Sequence, residues 1–333
     1  MSDYMPRFQY VDAKSVEHAI SVLDKYPGGI GVKRTAAVVA GGTDMLGELK
    51  DEIMAPKVVV NLRSISGLNE MKEVDGGVSI GALTTLWDIH ESGLIQESFP
   101  VLAQAAHNVA TPQIRQIGTL GGNINQRPRC WYYRGAFDCY KKGGDFCFSV
   151  TGDNQYHAIF QGELCYIVHP SDTAPALMAL DASAKVASPS GEKTVSLDEY
   201  FVGPRVDVLR ETILGPNEIM TGVQIPTWPA GTKSIFLKYR ERGAWDFAIA
   251  SLAMVVSLQD GVVSKAGIVF SGVAPVPYRA KEAEKAIVGK PLNDETAQSV
   301  ANTVSLGARP MSKNGYKVDL IKGMMRQAVL KLA

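Results

Sequence analysis

All four cysteines of this 333-residue chain, Cys130, Cys139, Cys147 and Cys165, fall in one 36-residue window that directly follows a glycine-rich loop, Gly118-Thr-Leu-Gly-Gly-Asn123. Thiols gathered this closely point to a shared ligand, which constrains the path of everything between them. The pattern C-x8-C-x7-C-x17-C lacks the paired C-x2-C knuckles of most structural zinc sites and the compact run of bacterial ferredoxins, so spacing alone names no ligand. Scattered core cysteines would leave unexplained why the rest of the chain holds none. Two disulfides are another alternative, but a chain this long has core enough without covalent staples, and no apolar N-terminal signal segment points to an oxidising destination. Metal or cluster ligation is the favoured reading.

Arg127, Arg129, Arg134, Lys141 and Lys142 surround the first three cysteines against a single carboxylate, Asp138, in the stretch 127–142. Nearby cations favour the thiolate, and they would tolerate the negative charge of four thiolates around an iron-sulfur core. A solvated basic loop is the plain alternative. Trp131, Tyr132 and Tyr133 are expected to shield the site. The five histidines form no H-E-x-x-H motif; His157 and His169 flank Cys165, so one imidazole replacing a thiolate is the variant reading.

Formal charge is zero, with 34 basic and 34 acidic residues, which argues against a nucleic-acid partner. No apolar stretch reaches membrane-span length; the best candidate, Phe247 to Leu258, reads as a buried strand. Val16, Ala19, Ile20 and Leu23 fall at helical spacing after Ser15, a candidate N-cap. Strands are expected at Ala36–Ala40, Lys57–Leu62, Val78–Ile80 and Lys185–Ser188, and helices at Met45–Leu49, Leu83–His90, Val101–Val109 and Ala174–Leu180. Ile225-Pro-Thr-Trp-Pro-Ala-Gly231 marks a boundary near Thr227. Beyond it come a β-rich stretch, Ser234–Phe270, with a hairpin turn at Gln259-Asp-Gly261, and two terminal helices, Glu295–Leu306 and Val318–Leu330.

Two loops carry the chemistry. Gly41-Gly42-Thr43 at the end of a strand can turn its backbone N–H groups toward an anion, because glycine accepts the positive φ values that such a nest requires. The loop fits neither G-x-G-x-x-G nor the P-loop pattern, and alone it reads as easily as a plain turn. The second loop, from Thr111-Pro112 through Gly118, Thr119, Gly121, Gly122 and Asn123, adds a second set of small residues and free backbone donors. Two anion nests suggest one diphosphate, held between them in a dinucleotide.

Together Ala40-Gly-Gly-Thr-Asp44, Thr111-Pro, Gly118-Thr-Leu-Gly-Gly-Asn123, Pro170-Ser-Asp172, Lys238-Tyr-Arg-Glu-Arg242 and Asp246-Phe-Ala-Ile-Ala250 resemble the FAD-binding medium subunit of the molybdenum hydroxylases, over nearly the whole chain. The resemblance implies an α+β chain: a two-subdomain FAD-binding fold of the vanillyl-alcohol-oxidase type over 1–226 (subdomains about 1–58 and 59–226), then an antiparallel sheet with helices over 227–333. It implies that Gly41, Gly42 and Thr43 meet the pyrophosphate from one side and Thr119, Gly121, Gly122 and Asn123 from the other, with Ala40, Asp44 and Gly118 also binding the cofactor. Thr111 and Asp172 would contact the flavin or its ribityl chain, and Lys238 would lie near the isoalloxazine, where a cation stabilises the anionic reduced ring.

Most medium subunits pass almost directly from the Gly-Gly-Asn loop to the Ser-Asp segment. Here a four-cysteine insert, about 124–168, intervenes, and it is similar to the insert of bacterial aldehyde oxidoreductases and of 4-hydroxybenzoyl-CoA reductase, in which the cysteines hold a 4Fe-4S cluster. What this implies is an electron-transfer subunit carrying FAD and a 4Fe-4S cluster, with the inter-cysteine spacing closer to the aldehyde oxidoreductase type. With no cysteines to spare, the two 2Fe-2S clusters would sit on a small partner subunit and the molybdopterin cofactor on a large one, in a heterotrimer or a dimer of heterotrimers. Competing readings are a zinc-stabilised assembly module and a free-standing flavin oxidase. The expected location is cytoplasmic, or periplasmic through a partner's signal.

Overall fold

The computed structural model describes residues 5–333, which three sheets organise. Strands β1 (Gln9–Asp12), β2 (Ala36–Val39) and β3 (Val58–Asn61) form a parallel sheet in the order β1-β3-β2. Parallel neighbours need crossovers, and the helices Val16–Asp24 and Met45–Lys50 provide them. Ser15 caps the first, its hydroxyl accepting from the His18 N–H. The central strand carries Val58, Val59 and Val60, all buried, as a strand paired on both edges and covered on both faces requires. Because β3 starts at residue 58, this first unit extends past the cut expected there, to Asn61 at least.

The second sheet is antiparallel, in the order β4-β5-β8-β6-β7: β4 (Met71–Val74), β5 (Gly77–Gly81), β6 (Ser183–Ser188), β7 (Gly191–Ser196) and β8 (Ile219–Pro226). Its apolar face shares a core with the helices Pro100–His107 and Thr173–Ala179.

The third sheet, β12-β11-β10-β9, comprises β9 (Thr232–Tyr239), β10 (Ala250–Gln259), β11 (Val262–Ser271) and β12 (Tyr278–Arg279). Asp260 and Gly261 both have positive φ, +52° and +78°, as the tight turn between β10 and β11 demands. Alternate residues of β10 enter different cores. Ala253 and Val255 join the core of the preceding domain, whereas Leu252, Met254 and Val256 pack with the helices Lys281–Ile287, Asp294–Thr303 and Tyr316–Leu332. The boundary near Thr227 is therefore a boundary in the chain but not in the packing. The molecule is α+β throughout, and no helix among the described residues is long and apolar enough to cross a membrane.

Candidate functional site

The loop Ala40-Gly41-Gly42-Thr43-Asp44 leaves β2 and enters the helix Met45–Lys50. Gly42 stands at φ +72°, and a Cβ on Gly41 would lie 2.1 Å from the carbonyl oxygen of Ile117, so only glycine lets the two loops touch. Among the described residues, the N–H groups of Gly41, Gly42, Thr43 and Asp44 donate to no protein acceptor. They are available to an anion.

The second loop is built differently. Thr119 caps the short helix Leu120–Ile124. The N–H groups of Leu120, Gly121, Gly122 and Asn123 donate to Thr84 O, Ala82 O, Thr119 Oγ1 and Thr119 O at 2.9, 2.8, 3.2 and 2.8 Å. These four donors, expected to be free, are used, two by the helical turn and two by the segment that follows β5. A Cβ on Gly121 would stand 2.9 Å from the Ala82 Cβ, so that glycine serves backbone packing. The side chain of Asn123 accepts from the Ser171 and Thr173 hydroxyls at 2.6 and 2.7 Å, tying the loop to the Pro170-Ser-Asp172 segment.

Ala40 to Asp44, Gly118, Thr119, Gly121, Gly122, Asn123, Asp172 and Lys238 all line one cavity of about 430 Å³, within the range of cofactor sites. Thr111 lies outside the lining, its hydroxyl accepting from the Ile114 N–H as cap of the helix Pro112–Arg115. Lys238, expected beside the isoalloxazine, is one half of a buried ion pair. Its Nζ lies 2.6 Å from Asp172 Oδ2 and donates to Asn108 O at 3.0 Å. Burial pushes the Asp172 carboxyl up, with Lys238 opposing it only in part, and Asp172 Oδ1 is buried without a partner. Sequence reasoning missed four charged residues on the cavity wall, Arg34, Glu48, Glu211 and Glu218, which no local motif marks.

The four cysteines converge on a second, much smaller cavity, which they line with Tyr132, Tyr133, Lys141 and His157. All four are free thiols, which removes the disulfide alternative. Burial pushes Cys130 up to about 11, while a hydrogen bond from Cys165 holds Cys147 down at about 5. His157 Nε2 lies 3.2 Å from Cys130 Sγ. As the side chains stand, no group of three or more His, Cys, Asp or Glu among the described residues is set to hold a metal ion.

The cations expected to face these thiols are mostly engaged elsewhere. Asp44 receives Arg129 at 2.7 Å, Arg134 at 2.9 Å and the Arg127 backbone N–H at 2.7 Å. Glu211 takes Arg127 at 2.9 Å and Lys141, and Lys142 donates to Gly135 O at 2.6 Å. Burial pushes the Glu211 carboxyl up, but the adjacent Arg127 and Lys141 outweigh it and hold the group below the usual range. The Asp44 and Glu211 carboxylates, each within ion-pair distance of two cations, hold them away from the cysteines. Of the three shielding aromatics, Tyr133 is buried and donates to Glu48 at 2.6 Å, whereas Trp131 is exposed.

Comparison with known proteins gives this geometry its context. Residues 6–228 match the FAD binding domain in molybdopterin dehydrogenase, and residues 235–332 match the CO dehydrogenase flavoprotein C-terminal domain. The chain belongs to the family of FAD-binding medium subunits of the molybdenum hydroxylases. It is 30% identical to the aldehyde oxidoreductase FAD-binding subunit PaoB of Escherichia coli (strain K12), covering 96% of each chain. It is 27% identical to the glyceraldehyde dehydrogenase medium chain of Sulfolobus acidocaldarius, covering 99% of this chain and 100% of the other. Among solved structures, CO dehydrogenase from Oligotropha carboxidovorans superposes with a TM-score of 0.76 at 25% identity, over 98% of each chain.

Proposed function

We propose that the chain is the electron-transfer subunit of an aldehyde-oxidising molybdenum hydroxylase, binding FAD in the large cavity and a 4Fe-4S cluster at Cys130, Cys139, Cys147 and Cys165. The observation that carries this reading is the convergence of four free thiols, spread over 36 residues, on one point of a chain whose other cavity is bordered by free loop amides. Four cysteine sulfurs are the donor set of a 4Fe-4S cluster. Seating one requires the thiols to spread, since the space between them is now about 10 Å³, and requires Cys130 to leave His157.

FAD, when bound, supplies the exchange between one- and two-electron carriers. This chain's residues bind and orient it. The Gly41-Gly42-Thr43-Asp44 amides hold the diphosphate, Thr119 and Gly118 wall the opposite side, and the Asp172–Lys238 pair fixes charge in the same cavity. The likeness over nearly the full chain to an FAD-binding subunit and a medium chain supports placing substrate oxidation on a large molybdopterin subunit, reached through 2Fe-2S clusters on a small one. The likeness to PaoB and to the glyceraldehyde dehydrogenase medium chain favours an aldehyde substrate.

Flavin, iron and sulfide quantitation on the purified chain tests the assignment. About one FAD with about four iron and four sulfide supports it. One zinc without iron converts the cysteine site to a structural one, and absence of flavin removes the reading of the large cavity.

A further inference from the structure

On the wall of the large cavity, carboxylates are shared between cations. Asp44 pairs with both Arg129 and Arg134, and Glu211 with both Arg127 and Lys141. Asp44, Glu211, Arg127 and Arg129 line the cavity with Arg34, Glu48 and Glu218, whereas Arg134 and Lys141 stand outside the lining. A guanidinium carries five N–H donors, so a carboxylate divided between two cations leaves donors over.

Two of the spare donors belong to lining residues. Arg127 Nη2 and Arg129 Nε are buried without hydrogen-bond partners, and both residues line the cavity. Arg129 also pairs with Asp44 at 2.7 Å while its guanidinium carbon lies 4.8 Å from the Phe247 ring centroid, so it ties the glycine loop to the segment leading into β10. Both arginines precede Cys130 in the insert.

We propose that the cysteine insert is part of the dinucleotide site, with Arg127 and Arg129 supplying the counter-charge of the diphosphate. This rests on the FAD reading above and adds to it a source of binding that the glycine loops alone do not provide. Loop amides orient an anion; a guanidinium with free N–H groups neutralises it and pairs with phosphate oxygens directly. The insert thereby does two jobs, and dinucleotide recognition depends on a segment that medium subunits without it do not have.

The test separates a diphosphate contact from a structural role by comparing ligands. FAD and riboflavin share the ring and differ in the diphosphate, so quenching of flavin fluorescence on titration of the flavin-stripped full chain gives a ratio of affinities. Arg129→Gln is expected to weaken FAD about tenfold while moving riboflavin less than about twofold, and Arg129→Lys to recover much of the ratio. Arg127→Gln should act in the same direction; if that buried site does not fold when changed, the Arg129 pair decides alone. An unchanged FAD-to-riboflavin ratio in Arg129→Gln overturns this inference and leaves the FAD reading standing. A wild-type chain that binds riboflavin and FAD equally overturns it as well, and one that binds neither removes both.

Discussion

The large cavity and the cysteine site meet at the segment 127–134, yet they are held in opposite ways. The cavity is walled by regular elements: β2, the ends of β5 and β8, and β9, with backbone ladders fixing the loops between them. The cysteine segment, 130–165, contains one helical turn and one 3-10 turn and no strand. Its order comes from side chains. Asn314 donates to the His157 and Ala158 carbonyls, Lys317 Nζ to the Tyr156 and Gly272 carbonyls, and Tyr316 to Gln155 O, so the stretch 155–158 is stapled to the approach and first turn of the C-terminal helix. Backbone ladders resist the loss of any one contact, whereas a stapled loop depends on each. Apart from Arg127 and Arg129, which line the cavity from within the insert, the two regions should therefore fail independently.

Lys238→Met is expected to give the largest effect, because it leaves the buried Asp172 carboxyl unpaired. A loss of about 3–5 kcal/mol follows from removing one partner of a buried ion pair, read by denaturant unfolding, and flavin retention should fall while iron is kept. Adding Asp172→Leu should restore much of the stability but not the flavin. Stability that stays low in the double variant would show that packing, not charge, governs this end of the cavity.

Asn314→Ala is expected to do the reverse. It removes buried bonds of 3.0 and 3.2 Å to the two carbonyls and one of 2.6 Å accepted from the Met311 N–H, leaving groups with no replacement partner. The expected loss is about 2–3 kcal/mol. Iron content should fall while FAD stays bound; equal loss of both would mean that the insert and the cavity form one cooperative unit.

The same contrast explains what was legible in the sequence. Elements with strong periodicity or apolar runs, such as the helix after Ser15, Val58–Asn61 and the fully buried β10, stand where their residues predict. Strands β4 and β7 were not read because they are sheet edges: Met71-Lys-Glu-Val74 and Gly191-Glu-Lys-Thr-Val-Ser196 place charge where a central strand would be apolar. The helix Lys281–Ile287 was missed for a similar reason, with only Ala283 and Ile287 buried in a charged sequence. At the site, glycine and threonine motifs located the cavity, but whether an amide is free is a tertiary property. Thr119 caps its own helix and takes two of the donors that the motif suggests, and the Thr84 and Ala82 carbonyls take two more. The Arg127–Glu211 and Arg134–Asp44 pairs join residues more than 80 positions apart and leave no local signature.

Acid should loosen the cavity side through a group outside both ligand sets. His169 is buried between the two domains: its N–H donates to Ala274 O, its carbonyl accepts from the Ser271 hydroxyl, and its ring meets Phe201 edge to face. Burial lowers its pKa to about 4, against about 6.5 when unfolded. The unfolded chain therefore binds the extra proton first, and stability present above the unfolded value is lost as pH falls from about 6.5 toward 4. At pH 5 the loss from this one residue is about 2 kcal/mol relative to pH 7. His169→Gln keeps a hydrogen-bonding side chain without the titration, so its unfolding free energy should vary less between pH 7 and pH 5 by that amount. An identical pH slope in wild type and variant would mean that His169 takes up its proton in the folded chain as readily as in the unfolded one, and that the junction between the second and third sheets is wetter than its burial indicates.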